Sequence, residues 1–305
     1  MTDGRPIAAT IGVFDGLHRG HRAVVDALVG LARALKAAAW VITFDPHPDT
    51  VVRGVPDRAW LTPPEERASG LHSWGVDRVQ VERFDREVMA LAPEGFLDRV
   101  LGPGAPLRAL VMGPDFRMGK GRMGDRSYLE GVGRARGFQV REVPFLLEQG
   151  GKISSTELRR RIAEGDMEHA REMLGRPYVL RGRVGSGAGR GTGLGYPTAN
   201  LELNPLKLLP APGIYLSENN FDGSTHDGMT YVGTAGTFGP GPTRVEVHLL
   251  DFSGSLRGSM VATRLLRRLR PDRTFESGEA LVRAMDADRA AARAYFASAP
   301  RPGPG

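Results

Sequence analysis

The stretch "AATIGVFDGLHRGHRAVVDALVGLARALKAAAWVITF", residues 8–44, holds a complete strand–turn–helix–strand unit. It opens with the apolar run "AATIGVF", which is followed by a turn rich in glycine. Val24, Val25, Leu28, Leu31, Ala32 and Leu35 then recur at the helical period and make one apolar face. "WVITF" (40–44) closes the unit as a buried strand.

The rhythm continues outward. "LTPPEER" predicts a capping box, with Thr62 as N-cap, Pro63 at the first helical position and Glu65 three residues on. "LRALVMG" (107–113) reads as a strand followed by a basic glycine loop, "YLEGVGRARG" as a short helix and "FQVREVPF" as a strand. Alternating strands and helices predict an open, mostly parallel α/β sheet.

After a helical stretch at 156–174 the pattern changes. "GRPYVLRGRVGSGAGRGTGLGYPTANL" (175–201) is dense in glycine and has no sustained helical period. "GIYLSENN", "MTYVGTAG" and "TRVEVHLLDFSGSLRG" read as antiparallel strands, the last as two strands around "FSGS". A helix over 279–295 ends the pattern, with Leu281, Ala284, Met285, Asp288, Ala292 and Tyr295 in phase and Asp288, the one acid among them, at the edge of the stripe. "APRPGPG" is a loose tail. Two domains are therefore expected, 1–176 α/β and 177–305 β-barrel-like, for which 305 residues suffice.

Composition limits the chemistry. With no cysteine, disulfides, thiolate nucleophiles and Cys-ligated zinc are excluded, which suits a reducing cytoplasm. The first residues do not read as a signal peptide, and no run approaches the roughly 20 apolar residues of a membrane span. The 41 basic and 35 acidic residues leave a net charge of +6. The densest basic run, "RLLRRLR" (264–270), lacks interleaved aromatics, so nucleic acid is not an expected partner.

In the turn of the first unit, Gly12, Gly16 and Gly20 allow close approach of the backbone to a ligand, while His18 and His21 stand at a helix start. Free N–H groups and the helix dipole favour phosphate there, with the imidazoles hydrogen-bonding the same oxygens. A packed histidine beside a solvated one is the plainer alternative. Zinc is disfavoured by the missing cysteines and by His47 lying between two prolines.

"GVFDGLHRGH" resembles the Gly-x-Phe-Asp-Gly-x-His-x-Gly-His signature of the bacterial bifunctional riboflavin kinase/FMN adenylyltransferases, the prokaryotic FAD synthetases of the HxGH nucleotidyltransferase superfamily. "TFDPHPDTVV" (43–52), "VMGPDFRMGKGRMGD" (111–125) and "ISSTELR" (153–159) resemble further family blocks in family order. The resemblance implies a Rossmann-like nucleotidyltransferase domain followed by a six-stranded riboflavin-kinase barrel with a terminal helix.

It also implies roles. His18 and His21 stabilise the transferring α-phosphate of ATP, while Ser154, Ser155, Thr156 and Arg159 close over the triphosphate. Gly12, Phe14 and Asp15 belong to the nucleotide site, and Asp115, Phe116 and Arg117 to the flavin side. "GLGYPTANL" resembles the kinase motif in which Thr198 and Asn200 hold Mg²⁺ and ATP phosphates, with Glu246 as base. The substrates implied are ATP, riboflavin and FMN, the product is FAD, and the enzyme is a monomer or weak homo-oligomer.

The kinase half departs from the pattern. Thr192 in "RGTG" (190–193) stands for an arginine, Tyr231 for an asparagine, and Ala235-Gly236 for Arg-Pro. "SLRG" (255–258) replaces Leu-Tyr-Gly. Two rival readings follow: adenylyl transfer alone, to FMN or another phosphorylated acceptor, with a degenerate kinase domain; or a non-catalytic flavin- or RNA-binding protein.

Overall fold

The computed structural model describes residues 5–55, 58–148, 151–185, 196–234 and 243–298. Contacts divide the chain into two compact units, Met1–Ser155 and Thr156–Gly305.

In the first unit, β1 (Ile7–Ile11) leads to α1 (Arg19–Ala34) and β2 (Ala38–Phe44). Then follow α2 (Pro48–Val52), α3 (Pro64–Ser73), β3 (Arg78–Glu82), α4 (Arg86–Ala90), α5 (Pro93–Leu101) and β4 (Leu107–Met112). α6 (Arg126–Arg136), β5 (Gln139–Glu142) and a small hairpin of β6 (Leu147–Glu148) and β7 (Gly151–Lys152) complete it. The strands pair in parallel in the order β3-β2-β1-β4-β5.

β1 and β2 are buried along their whole length, as parallel strands covered on both faces must be. Ile7, Ala9 and Ile11 pack with Phe96, Leu97 and Val100 of α5. Ala8, on the opposite face, packs with Val25, Leu28 and Ala32 of α1. Burying a side chain such as Leu28 contributes about 1.5–3 kcal/mol, so the predicted apolar stripe holds this helix on the sheet. The order reverses beside β1, with β2 on one side and β4 on the other. The crevice beyond the carboxyl ends of β1 and β4 is where open α/β sheets bind ligands.

The predicted capping box is corrected. α3 starts at Pro64, its N-cap is Pro63, and no side chain caps it. The Thr62 N–H is instead drawn to the Asp15 carboxylate at 2.9 Å, which moves the helix start one residue on.

In the second unit the stretch read as one helix is two, α7 (Ser155–Glu164) and α8 (Met167–Leu174). Gly165, at φ +80°, breaks the path, and Asp166 caps α8. The strands β8 (Tyr178–Val184), β9 (Ala199–Leu203), β10 (Gly213–Phe221), β11 (Ser224–Gly233), β12 (Arg244–Leu249) and β13 (Met260–Pro271) close into an antiparallel barrel, order β10-β11-β12-β9-β8-β13. The expected hairpin around "FSGS" is longer than the sequence suggested, because its second strand starts at Met260, after "SLRG".

α9 (Gly278–Ser298) lays Ala292, Tyr295 and Phe296 on Leu216, Met229 and Leu266 of the barrel. Asp288 is not at an exposed edge. It is buried and forms a forked ion pair with Arg270 of β13 at 2.8–3.1 Å, geometry that offsets the desolvation of both charges.

Candidate active sites

Beyond β1 the chain makes a tight turn that ends in α1. Phe14 and Leu17 take left-handed backbone angles, φ +53° and +46°, alongside Gly16 at +94°. Bulky residues rarely do so, at about 1–3 kcal/mol each. Burial holds them, since Phe14 and Leu17 are only 4% and 3% exposed. The buried Asp15 carboxylate accepts the backbone N–H groups of Leu61 and Thr62. Gly12 lets the Phe14 ring lie against its Cα, where a Cβ would come within 3.0 Å.

His18 is the N-cap of α1, and its Nδ1 accepts the His21 N–H at 3.2 Å. Neutral His18 therefore carries its proton on Nε2 and can donate only from there. The two imidazoles stack at 3.7 Å between centroids and 13° between planes, and Phe14 leans on His21 at 5.1 Å. Burial lowers the His18 pKa to about 4; the hydrogen bond to backbone opposes that shift and the Lys152 charge adds to it. Burial, then the charges of His18 and Arg67, hold His21 well below its ordinary value. Both rings are thus neutral at pH 7, and a second positive charge on the stack is disfavoured unless an anion arrives. His21 Nδ1 is buried with no hydrogen-bond partner.

Ser155 Oγ donates to the Asp15 carbonyl at 2.8 Å, which fixes the start of "SSTELR" to the histidine turn. Ser154 is half-buried, Thr156 exposed, and Arg159 half-buried one helical turn beyond Ser155 on α7. Beyond β4, the Asp115 carboxylate pairs with Lys152 at 2.6 Å. Phe116 is half-buried against the core. Arg117 is exposed and curls back onto the carbonyls of Pro114 and Phe116. Unit 1 therefore brings together His18, His21, Phe14, Asp15 and Ser155, while Asp115–Arg117 form a separate loop at the end of the neighbouring strand.

Arg67 of α3 carries no motif and was missed in the sequence. It is fully buried. Its Nη1 donates to the Val13 carbonyl at 3.0 Å and its Nη2 to the Phe44 carbonyl at 2.9 Å. The guanidinium lies over Trp60 at 4.5 Å. In the sequence Arg67 stands beside the charged residues Glu65 and Glu66 of α3, and burial is not visible in one sequence.

In the barrel, Glu246 of β12 sits opposite Asn200 of β9 on one side and Tyr231 of β11 on the other. Val245, Val247 and Leu249 are buried while Glu246 and His248 are half-exposed, which puts Glu246 on the outer face. Thr198 Oγ1 donates to Glu246 Oε2 at 3.3 Å. Tyr231 Oη donates to Asp272 at 3.0 Å. The register thus gathers the three kinase residues of the sequence reading. The altered stretch with Thr192, and Ala235-Gly236, lie outside the described residues.

Thr198 and Asn200 present hard neutral oxygen donors, which fit a Mg²⁺ that keeps several waters and is held largely by phosphates. Among the described residues no three His, Cys, Asp or Glu side chains group to hold a metal, so a divalent ion here would depend on the nucleotide it accompanies.

Residues 1–157 match the FAD synthetase family model and residues 174–296 the riboflavin kinase model. The bifunctional riboflavin kinase/FMN adenylyltransferase of Pseudomonas fluorescens is 37% identical over 96% of this chain and 94% of its own. Those of Listeria monocytogenes and Escherichia coli K12 are 35% and 34% identical over 94% of this chain, and 91% and 92% of theirs. A solved structure described as a macrolide-efflux protein from Streptococcus pneumoniae superposes with a TM-score of 0.86 at 28% identity, over 96% of this chain and 95% of that one. Among the described residues no helix is long and apolar enough to cross a membrane.

Proposed function

We propose that this chain, which belongs to the bifunctional riboflavin kinase/FMN adenylyltransferase family, makes FMN from riboflavin and ATP, then FAD from FMN and ATP. The observation that carries the reading is the neutral, stacked His18–His21 pair capping α1 at the switch point of the sheet. In FAD formation a phosphate oxygen of FMN attacks the α-phosphorus of ATP and pyrophosphate leaves. His18 donates from Nε2 to an α-phosphate oxygen, and His21 donates its ring N–H to the same phosphate. As negative charge grows on those oxygens, both hydrogen bonds strengthen most where the rings are desolvated. No protein nucleophile is required, and the gain comes from positioning.

Ser154, Ser155, Thr156 and Arg159 bind the triphosphate, with Arg159 matching phosphate in charge and geometry. Gly12, Phe14 and Asp15 shape the nucleotide site. Asp115, Phe116 and Arg117 serve the flavin, for which Phe116 must leave its core contacts and Arg117 its own carbonyls.

In the barrel, Glu246 accepts the proton of the ribityl hydroxyl as that oxygen attacks the γ-phosphorus of ATP and ADP leaves. Thr198 and Asn200 hold the phosphates and Mg²⁺, which supplies charge neutralisation when bound. The functional boundary lies near residue 176, so that 1–176 and 177–305 carry one reaction each. The enzyme works in the cytoplasm as a monomer or weak homo-oligomer, without a nucleic-acid partner. The lack of cysteine and of interleaved aromatics in the basic run supports that setting.

Chromatography of reactions with ATP and Mg²⁺, fed separately with riboflavin and with FMN, tests the reading. FAD from both, with transient FMN from riboflavin, is the expected result. FAD from FMN alone would remove the kinase reaction, and consumption of neither flavin would overturn the proposal.

A further inference from the structure

A buried arginine is costly unless its charge and donors are met. Arg67 meets that cost in part at the frame of the histidine turn, where both Nη atoms are bonded while Nε is buried without a partner. Its two Nη atoms span the carbonyls of Val13 and Phe44, which follow the ends of β1 and close β2. Val13 directly precedes Phe14, the first left-handed residue of the turn. The same Val13 carbonyl accepts Thr43 Oγ1 at 2.8 Å. The loop is closed from the other direction, because Leu61 and Thr62, which lead into the helix bearing Arg67, give their N–H groups to Asp15. Asp15, Asp45 and Glu65 are the acidic groups whose charges act on Arg67. A planar fork is needed to reach two carbonyls while stacking on Trp60, which lysine cannot do.

We infer that Arg67 is a positioning residue for adenylyl transfer: it ties the two strand ends together and sets where the turn presents the imidazoles of His18 and His21. The inference rests on the reading of that turn as the adenylyl-transfer site. Arg67 touches neither ring through a hydrogen bond, so it acts through the Val13 backbone, through the Leu61 and Thr62 N–H groups that its helix start gives to the Asp15 carboxylate, and through its charge. The charged or titratable groups acting on the imidazole stack are His18 and Arg67 on His21, and Lys152 on His18.

The test uses the full chain and two variants, Arg67→Lys and Arg67→Met, with urea unfolding of the α/β unit's signal as the control for folding and riboflavin phosphorylation by the barrel as the control for the amount of enzyme. Arg67→Lys keeps the charge and loses the fork. It should lower kcat for FAD formation from FMN about 10–100-fold, the scale of a sub-ångström misplacement, with KM for ATP changed less than threefold and FMN formation unchanged. Arg67→Met also loses the charge, so the His21 ring signal, followed by NMR, should titrate at higher pH than in wild type, while Arg67→Lys leaves it in place. A purely structural role would instead lower FAD formation only in step with the folded fraction of the α/β unit and leave the His21 titration of Arg67→Met in place, and that result, or an unchanged kcat, would overturn the inference. So would wild-type FAD formation in both variants. If wild-type protein itself forms no FAD from FMN, the site reading fails, and the inference falls with it by a result that does not involve Arg67.

Discussion

The imidazoles of the α/β unit stand on a turn whose neighbours are all inside the protein, whereas the barrel's candidate base stands on an outer face and is placed by strand register. His18 is buried, capped onto α1 and stacked on His21. Asp15, Phe14 and Leu17 beneath them are at most 4% exposed. Glu246 is half-exposed between Asn200 and Tyr231, with a hydrogen bond from Thr198. The first arrangement makes neutral donors at a fixed place. The second leaves a carboxylate near solvent, which suits a base that takes a proton only as the alcohol reacts. A strand register survives substitutions in the loops around it. A turn built on left-handed residues does not tolerate the same freedom.

Four changes break or sharpen that contrast. The largest effect is expected from Glu246→Gln, which keeps the shape and removes the base. Riboflavin phosphorylation should fall about 10²–10⁴-fold, while FAD formation from added FMN holds, as read by chromatography of each half-reaction. Gly20→Ala should come next. A Cβ there would sit 3.1 Å from His18 Nδ1 and 3.2 Å from Cε1, so the ring must yield by a few tenths of an ångström. A loss of about 10-fold in kcat for FAD formation is expected, with the kinase reaction untouched.

The third change is in pH. Because folding lowers the His18 pKa from 6.5 to about 4, the unfolded chain binds the proton first. Stability is then fully present above pH 6.5, falls as pH drops toward 4, and is flat below. At about 1.4 kcal/mol per pH unit, the loss attributable to His18 is about 3 kcal/mol. Urea unfolding of the α/β unit's signal at several pH values should show this slope, and a His18→Asn variant should lose the His18 share of it while the share of His21, whose pKa is also lowered by burial, persists. The smallest effect is expected from Tyr231→Phe, which removes only the hydroxyl bonded to Asp272. A change of a few-fold in KM for riboflavin or ATP is expected, and none in FAD formation from FMN.

Much of this was legible in the chain. The stripe from Val24 to Leu35 and the run "WVITF" led to a parallel unit because helix period and buried strand are local signals. The histidines, "SSTELR" and "GYPTAN" were legible because each motif is contiguous. Arg67 was not, since its meaning lies in two carbonyls contributed by β1 and β2, brought together only by the fold. Thr62 misled for a related reason: a capping box is a local expectation, and Asp15, 47 residues away in sequence, competes for its N–H. Asp288 looked like an edge residue because its partner Arg270 is on another element. The start of β13 was read too early because the turn after "FSGS" carries no strong signal of its own.

The central claim is that two separate sites act in sequence in one chain, and His21→Asn fed with riboflavin, ATP and Mg²⁺ tests it most directly. The account predicts that FMN forms at the wild-type rate and accumulates, with FAD formation reduced about 10²–10³-fold. Equal losses of FMN and FAD formation, or FAD appearing at the wild-type rate, would contradict it.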